Sequence, residues 1–313
     1  MGRMAILFCS AAVLLFLGQA EKSAMPAKSI ESVVRSFAGE AGVFAMNLRT
    51  GEEIAINPDM RFPTASTIKT AVMLEVYHQA AEGTLSLDEV LPVKSTDRVG
   101  GSGVLNGMSP DLALEVRDLV HLMIVLSDNT ATNVLVNRVG TKRIDDRLVG
   151  LGLKETKIFR PTFRDGKPDI HPELEKEFGL GMSTPREMAR LMAMIARGKA
   201  VNREASHAML ATLRRQQDRA MLPRLLPPGI QTGNKTGTDS EKLPDSAGQR
   251  GAIRVDAAII EGQGAHYVIA VFTRRGKDTQ GGVDNAGVLL GARIARLVHD
   301  AWADKANASP SSK

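Results

Sequence analysis

The chain has 313 residues, 43% hydrophobic and 24% charged, which is enough apolar material for a full core of one large or two moderate domains and too much for a disordered protein. Its formal charge of +5 comes from scattered basic residues. With aromatics at only 4% there is no basic patch interleaved with aromatic side chains, so no nucleic-acid partner is expected. The single cysteine, Cys9, lies near the N-terminus and leaves the rest of the chain without disulfides, thiolate chemistry or Cys-metal sites.

Met1 to Ala20 joins a basic Arg3, an apolar run from Ala5 to Leu17 and small residues around Gln19. That is the pattern of a cleavable export signal, and the run is short for a bilayer span. A mature chain starting near Glu21, periplasmic or secreted and without a stable membrane anchor, is expected. Ser29 to Ala38 has an amphipathic helical pattern, and the strands Gly42 to Asn47 and Glu53 to Ile56 flank a Thr50-Gly51 turn that reads as a hairpin.

From Phe62 onward the apolar spacing turns helical for about 150 residues. Helices are predicted over Ser66 to Ala81, Arg117 to Leu126, Thr130 to Val139, Lys142 to Val149, Pro185 to Arg197 and Arg203 to Gln216. Thr184-Pro185-Arg186-Glu187 combines a capping-box pattern with proline at the first helical position, and Gly198 follows the last turn. Strands return at Gln231 to Lys235, Ala252 to Glu261 and His266 to Arg274, before a long amphipathic helix from Asn285 to Trp302. The expected fold is α/β of the α+β kind, an antiparallel sheet flanked by terminal helices with an inserted all-helical subdomain. The α/β part covers 28–63 and 217–303, the helical part 64–216, and 304–313 is a disordered tail.

Three short motifs carry chemistry. Ser66-Thr-Ile-Lys69 places an amine three residues beyond a hydroxyl, on the same helix face, where it can activate a serine nucleophile. Alone this means little, since on the order of one Ser-x-x-Lys occurs by chance in a protein of this size. Ser127-Asp128-Asn129 follows a strongly apolar helix, and Lys235-Thr236-Gly237 sits beside a predicted strand. Singly each is ordinary turn or strand-end chemistry. Together, in this order and at these separations, the three match the motif set of class A β-lactamases and penicillin-binding proteins. By contrast, no Gly-x-Ser-x-Gly elbow or His-Glu-x-x-His is present, and His78, His121 and His207 fall inside helical patterns as structural residues. No metal and no cofactor are expected.

From about Ile30 to His299 the chain therefore resembles a class A β-lactamase-like serine hydrolase of the penicillin-recognising superfamily. Gly101-Ser-Gly-Val-Leu105 is similar to the glycine-rich loop ahead of the middle motif, and Arg254-Val-Asp-Ala-Ala-Ile-Ile260 to the strand beyond the lysine motif. The resemblance implies that Ser66 is acylated, that Lys69 relays its proton and that Ser127 protonates the leaving nitrogen. It also implies that Asn129 holds the substrate amide, that Lys235 and Thr236 receive a carboxylate, and that the N–H groups of Ser66 and Thr238 form the oxyanion hole.

The departure lies between Lys157 and Ser183, where the family keeps the glutamate that activates the deacylating water. Aligned forward from Thr156, Thr162 falls at its place; aligned backward from Ser183, Pro168 does; matching His171-Pro172-Glu173-Leu174 to the family's Glu-Pro-Glu-Leu puts His171 there. Asp165, Asp169, Glu173, Glu175 and Glu177 occupy the same loop, with Glu173 the favoured substitute base. The leading expectation is hydrolysis of a β-lactam through a Ser66 acyl-enzyme in a monomer. The alternatives are a D-alanyl-D-alanine peptidase or esterase that β-lactams acylate but that clears them slowly, and a catalytically silent cell-wall binding module.

Overall fold

The computed structural model describes residues 28–308; the expected leader over 1–20 and residues 309–313 of the expected tail lie outside them. In chain order, helix α1 (residues 28–35) is followed by β1 (Glu40–Asn47), β2 (Glu53–Ile56) and β3 (Phe62–Pro63). A 3-10 turn over Ala65–Ile68 runs into α2 (Lys69–Ala81). Then come β4 (Val90–Pro92), β5 (Ala113–Glu115), α3 (Val116–Val125), α4 (Asn129–Val139), α5 (Thr141–Gly150), β6 (Lys157–Ile158) and α6 (Pro172–Phe178). The chain continues through β7 (Gly181–Ser183), α7 (Pro185–Ala196), α8 (Arg203–Leu213), β8 (Gln231–Ser240), β9 (Ala252–Gly262), β10 (Ala265–Gly276) and α9 (Ala286–Ala308).

The main sheet has the order β2-β1-β10-β9-β8, antiparallel throughout. Its central strands read as nearly continuous apolar runs because both faces are covered. Alternate residues of β9 and β10 supply each face: Val255, Ala257, Ile259, Val268, Ala270 and Phe272 join the core shared with α2, α3, α4, α7 and α8. Their neighbours Ala258, Ile260, Tyr267, Ile269 and Val271 pack under α1 and α9, against Ile30, Val34, Ile294, Val298 and Trp302. The sheet thus has the terminal helices on one face and the helical insertion on the other.

Some boundaries differ from those predicted. The strand expected to stop at Lys235 continues to Ser240, held by ladder pairs from Gln231↔Glu261 to Ser240↔Ala252, so the Lys-Thr-Gly motif lies inside an edge strand. Cross-strand pairing outweighs the weak strand preference of Gly237 and Asp239. The alanine-rich end of α9 carries that helix to Ala308, past Trp302 and into the range assigned to the tail. At α7 the Thr184 side chain accepts from Glu187 N at 3.1 Å, but the Glu187 carboxylate turns away and accepts from Glu155 N and Thr156 Oγ1. The cap is one-sided, and its glutamate fastens the start of β6. The short pairings β3-β7-β6 and β4-β5, and helix α6, have no counterpart in the sequence pattern.

Candidate active site

Ser66 does not open the α-helix; it lies within the 3-10 turn, preceded by Ala65 at φ 43°. A non-glycine residue in the left-handed region is uncommon and costs roughly 1–3 kcal/mol, the kind of strain that functional sites retain. In a 3-10 turn residues i and i+3 eclipse, so Lys69 stands directly over Ser66. The edge strand β8 closes against this turn: a Cβ at Gly237 would lie 2.6 Å from Thr64 O and 2.9 Å from Ser66 N. Only glycine permits that approach, which puts the backbone of Gly237 and Thr238 beside the backbone of the nucleophile.

Lys69 is fully buried, and its Nζ donates to Ser127 O at 2.7 Å, Asn129 Oδ1 at 2.7 Å and Ser127 Oγ at 3.2 Å. Ser127, itself left-handed at φ 56°, also accepts from Lys235 Nζ at 3.1 Å. One hydroxyl therefore bridges two buried lysines. Burial, aided by the Lys235 ammonium, holds the Lys69 amine well below the usual lysine range. Burial likewise brings Lys235 down to about 8, against the opposing pull of Asp256 and Asp218. The Asp256 carboxyl is pushed up to about 7 by burial, although it accepts from Asn234 Nδ2 at 3.1 Å and Leu222 N at 3.0 Å.

Between Ser127 and Asn129, Asp128 has a structural task. Its Oδ1 caps α4 at Ala131 N, and its Oδ2 accepts from Val104 N at 2.6 Å and Leu105 N at 2.9 Å, tying down the glycine-rich loop. Asn129 gives Nδ2 to Gly100 O at 3.1 Å, which leaves its second amide hydrogen for a ligand. Two clefts meet at Ser66: one of about 190 Å³ reaches Asn129, Thr162 and Thr238, and one of about 250 Å³ reaches Ser127, Thr236 and Asp218. The structure thus brings Ser66, Lys69, Ser127, Asn129, Lys235, Thr236 and Thr238 to one place.

Glu173, expected as the substitute base, lies outside both clefts at Ser66. Its side chain is 67% exposed on the first turn of α6, 3.7 Å from His171 Nδ1. His171 is left-handed and Pro172 starts the helix, which turns the carboxylate outward to the helix N-terminus, where negative charge is favoured. His171 points toward Asp145, 3.3 Å away, and Pro168 also stays outside the clefts. Thr162 is the residue that faces the Ser66 cleft. It is buried, and Asn133 holds it, accepting from Thr162 N at 2.7 Å and Oγ1 at 2.8 Å. Asp169 accepts from Thr141, Glu175 from buried Arg160, and Glu177 from Arg274. Asp165 is the one loop acid on the cleft, and Arg160 and Lys242 both hold it.

Sequence reasoning missed Asn133, Asp256 and Arg254. Asp256 was visible as a lone acid inside an apolar strand, where a buried charge needs a partner. Arg254, also buried, donates to the carbonyls of Ile253, Asp239 and Gln280, beside the same strand end. Asn133 sits in a helix with an unremarkable pattern and gave no signal.

A serine at a strained turn, two buried lysines sharing a second serine, and close strand backbone are the site of a serine hydrolase. The chain belongs to the β-lactamase enzyme family, whose model matches residues 25–302. It is similar to β-lactamase CARB-3 of Pseudomonas aeruginosa, at 24% identity over 274 residues, 85% of this chain and 88% of that one. The solved β-lactamase of Sphaerobacter thermophilus superposes with a TM-score of 0.73 at 29% identity, over 90% of this chain and 97% of that one. PBP-A, solved as an acyl-enzyme complex of a leucine-to-glutamate mutant with penicillin G, gives a TM-score of 0.76 at 26% identity, over 90% and 97%. Among the described residues no helix is long and apolar enough to cross a membrane.

Proposed function

We infer that the protein hydrolyses β-lactams through a Ser66 acyl-enzyme, as an exported monomer. The observation that carries this is the Ser127 hydroxyl held by both Lys69 and Lys235 beside Ser66. Burial and the Lys235 ammonium hold the Lys69 amine well below the usual lysine range, which favours its neutral form and lets it take the Ser66 proton as Oγ attacks the lactam carbonyl. The oxyanion then meets the N–H groups of Ser66 and Thr238. Breakage of the C–N bond needs a proton on nitrogen; Ser127 gives its own and is resupplied from the adjacent lysines. Lys235 and Thr236 anchor the substrate carboxylate, and Asn129 the acyl amide.

Attack of water on the ester must follow. With Thr162 facing the cleft and Asp165 engaged by two cations, no acid of the 157–183 loop stands ready beside Ser66, so deacylation is the slow step. That observation also favours a second reading, a D-alanyl-D-alanine peptidase or esterase sharing the same acylation machinery. The export assignment rests on the leader pattern in Met1 to Ala20, and the monomer on a site completed within one chain. Incubation with a penicillin followed by peptide mass mapping tests the reading: the adduct is expected on Ser66 and lost in Ser66→Ala, which removes one hydroxyl that caps no helix and leaves the fold intact. Labelling that survives the substitution would remove Ser66 from its role.

A further inference from the structure

Phe163 follows Thr162 and, among the described residues, is the only aromatic one on the cleft that reaches Asn129. Its side chain is 58% exposed and its backbone is left-handed at φ 55°, an unusual pairing for a bulky residue. Exposure forgoes hydrophobic burial and the backbone adds strain; ordinary folding demands neither. Gly101 opposes it at φ 78°, where a Cβ would come 2.9 and 3.1 Å from Phe163 ring carbons and 2.8 Å from Asn129 Nδ2. The ring edge and the Asn129 amide therefore border the same point, and a glycine there leaves room for both.

The proposed function sends the substrate amide to Asn129, and a substituent beyond that amide runs along Phe163. The charged groups nearby engage one another: Asp165 pairs with Arg160 and Lys242, Arg160 also with buried Glu175, and Lys242 lies 4.0 Å from Asp239. No unpaired charge calls for an ionic substituent, whereas the phenyl ring is exposed to the cleft. We propose that Phe163 determines specificity at the acyl end of the cleft, selecting β-lactams whose amide carries an aryl group. This rests on the reading of Ser66 as the acylated residue.

The test compares acylation rate constants at limiting substrate for benzylpenicillin and for its acetamido counterpart, which keeps the amide and lacks the ring. In Phe163→Ala the ratio of benzylpenicillin to the acetamido compound should fall roughly three- to tenfold, the range of an aromatic contact, and Phe163→Tyr should restore most of it. A ratio within twofold of the parent in Phe163→Ala, or equal losses for both compounds, would overturn the assignment. Acylation of the parent by either compound upholds Ser66 whatever the ratio, while a parent that neither compound acylates defeats both readings.

Discussion

Lys69 can act as a base only if it is stripped of a proton before substrate arrives, and its surroundings promote that loss. It is fully buried, its partners are a carbonyl, an amide oxygen and a hydroxyl, and another ammonium repels its charge. No carboxylate pairs with it, unlike the exposed lysines Lys142 and Lys277. Thr162 lines the same cleft as Ser66 and is held by Asn133, and in the proposed reaction its hydroxyl, a poor base at neutral pH, stands in for the family's glutamate. Thr162→Glu should therefore shorten the life of the penicillin adduct by ~10² to 10⁴, the usual contribution of a positioned general base, with the acylation rate little altered. Decay of the purified adduct measured by mass would check this, and an unchanged lifetime would mean that Asn133 cannot orient the new carboxylate. Glu173 shows why the loop misled sequence reasoning. Its neighbours Pro172 and Leu174 resemble a family motif, but a left-handed residue ahead of a short helix decides which way the side chain points, and neither composition nor spacing reports that backbone angle.

Strand β8 carries the proposed substrate anchor, Lys235 and Thr236, and its chemistry depends on β9 behind it. Thr236 pairs across the ladder with Asp256, the buried carboxyl that supports the charge on Lys235. The sign of the pH dependence follows. Below about 8 Lys235 is an ammonium and pairs with a substrate carboxylate; as pH rises through about 8 the charge is lost while the substrate stays anionic. Acylation by carboxylate-bearing β-lactams should fall on that alkaline side, and acylation by neutral esters should fall less. Asp256→Asn removes the anion that raises Lys235, so the alkaline limb should move to lower pH, read from acylation rates between pH 6 and 10. A limb that stays in place would show that Asp256 serves packing alone. The extent of β8 was poorly legible for a physical reason: Gly237 and Asp239 interrupt the strand preference of Thr236 and Thr238, and the segment is held as a strand by pairing with residues near position 255, a long-range contact. Hairpin β1-β2, helix α7 and the apolar strands β9 and β10 were legible because their signals are local, a turn, a cap and continuous hydrophobic runs.

At the scale of the molecule, the two sheet faces divide labour. The face toward the helical insertion carries the clefts, and the opposite face is sealed by α1 and α9, where Trp302 packs edge-on against Tyr267 at 5.2 Å between ring centroids. Trp302→Ala should cost about 3–5 kcal/mol in urea unfolding, yet the folded fraction should be acylated at the parental rate. Loss of acylation in fully folded protein would mean that the two faces are coupled. The three motifs were legible because each places its chemistry within a few residues; the Phe62 to Ala81, Leu119 to Asn129 and Gln231 to Thr238 segments meet only through the sheet and helix packing. The central claim is an ester at Ser66 that forms readily and is hydrolysed more slowly. Time-resolved intact mass after mixing with benzylpenicillin tests it most directly. The account predicts one added penicillin per chain, rising within the first turnover and then decaying as hydrolysed penicillin is released, whereas an adduct that never decays, or a chain that stays unmodified over intact penicillin, would contradict it.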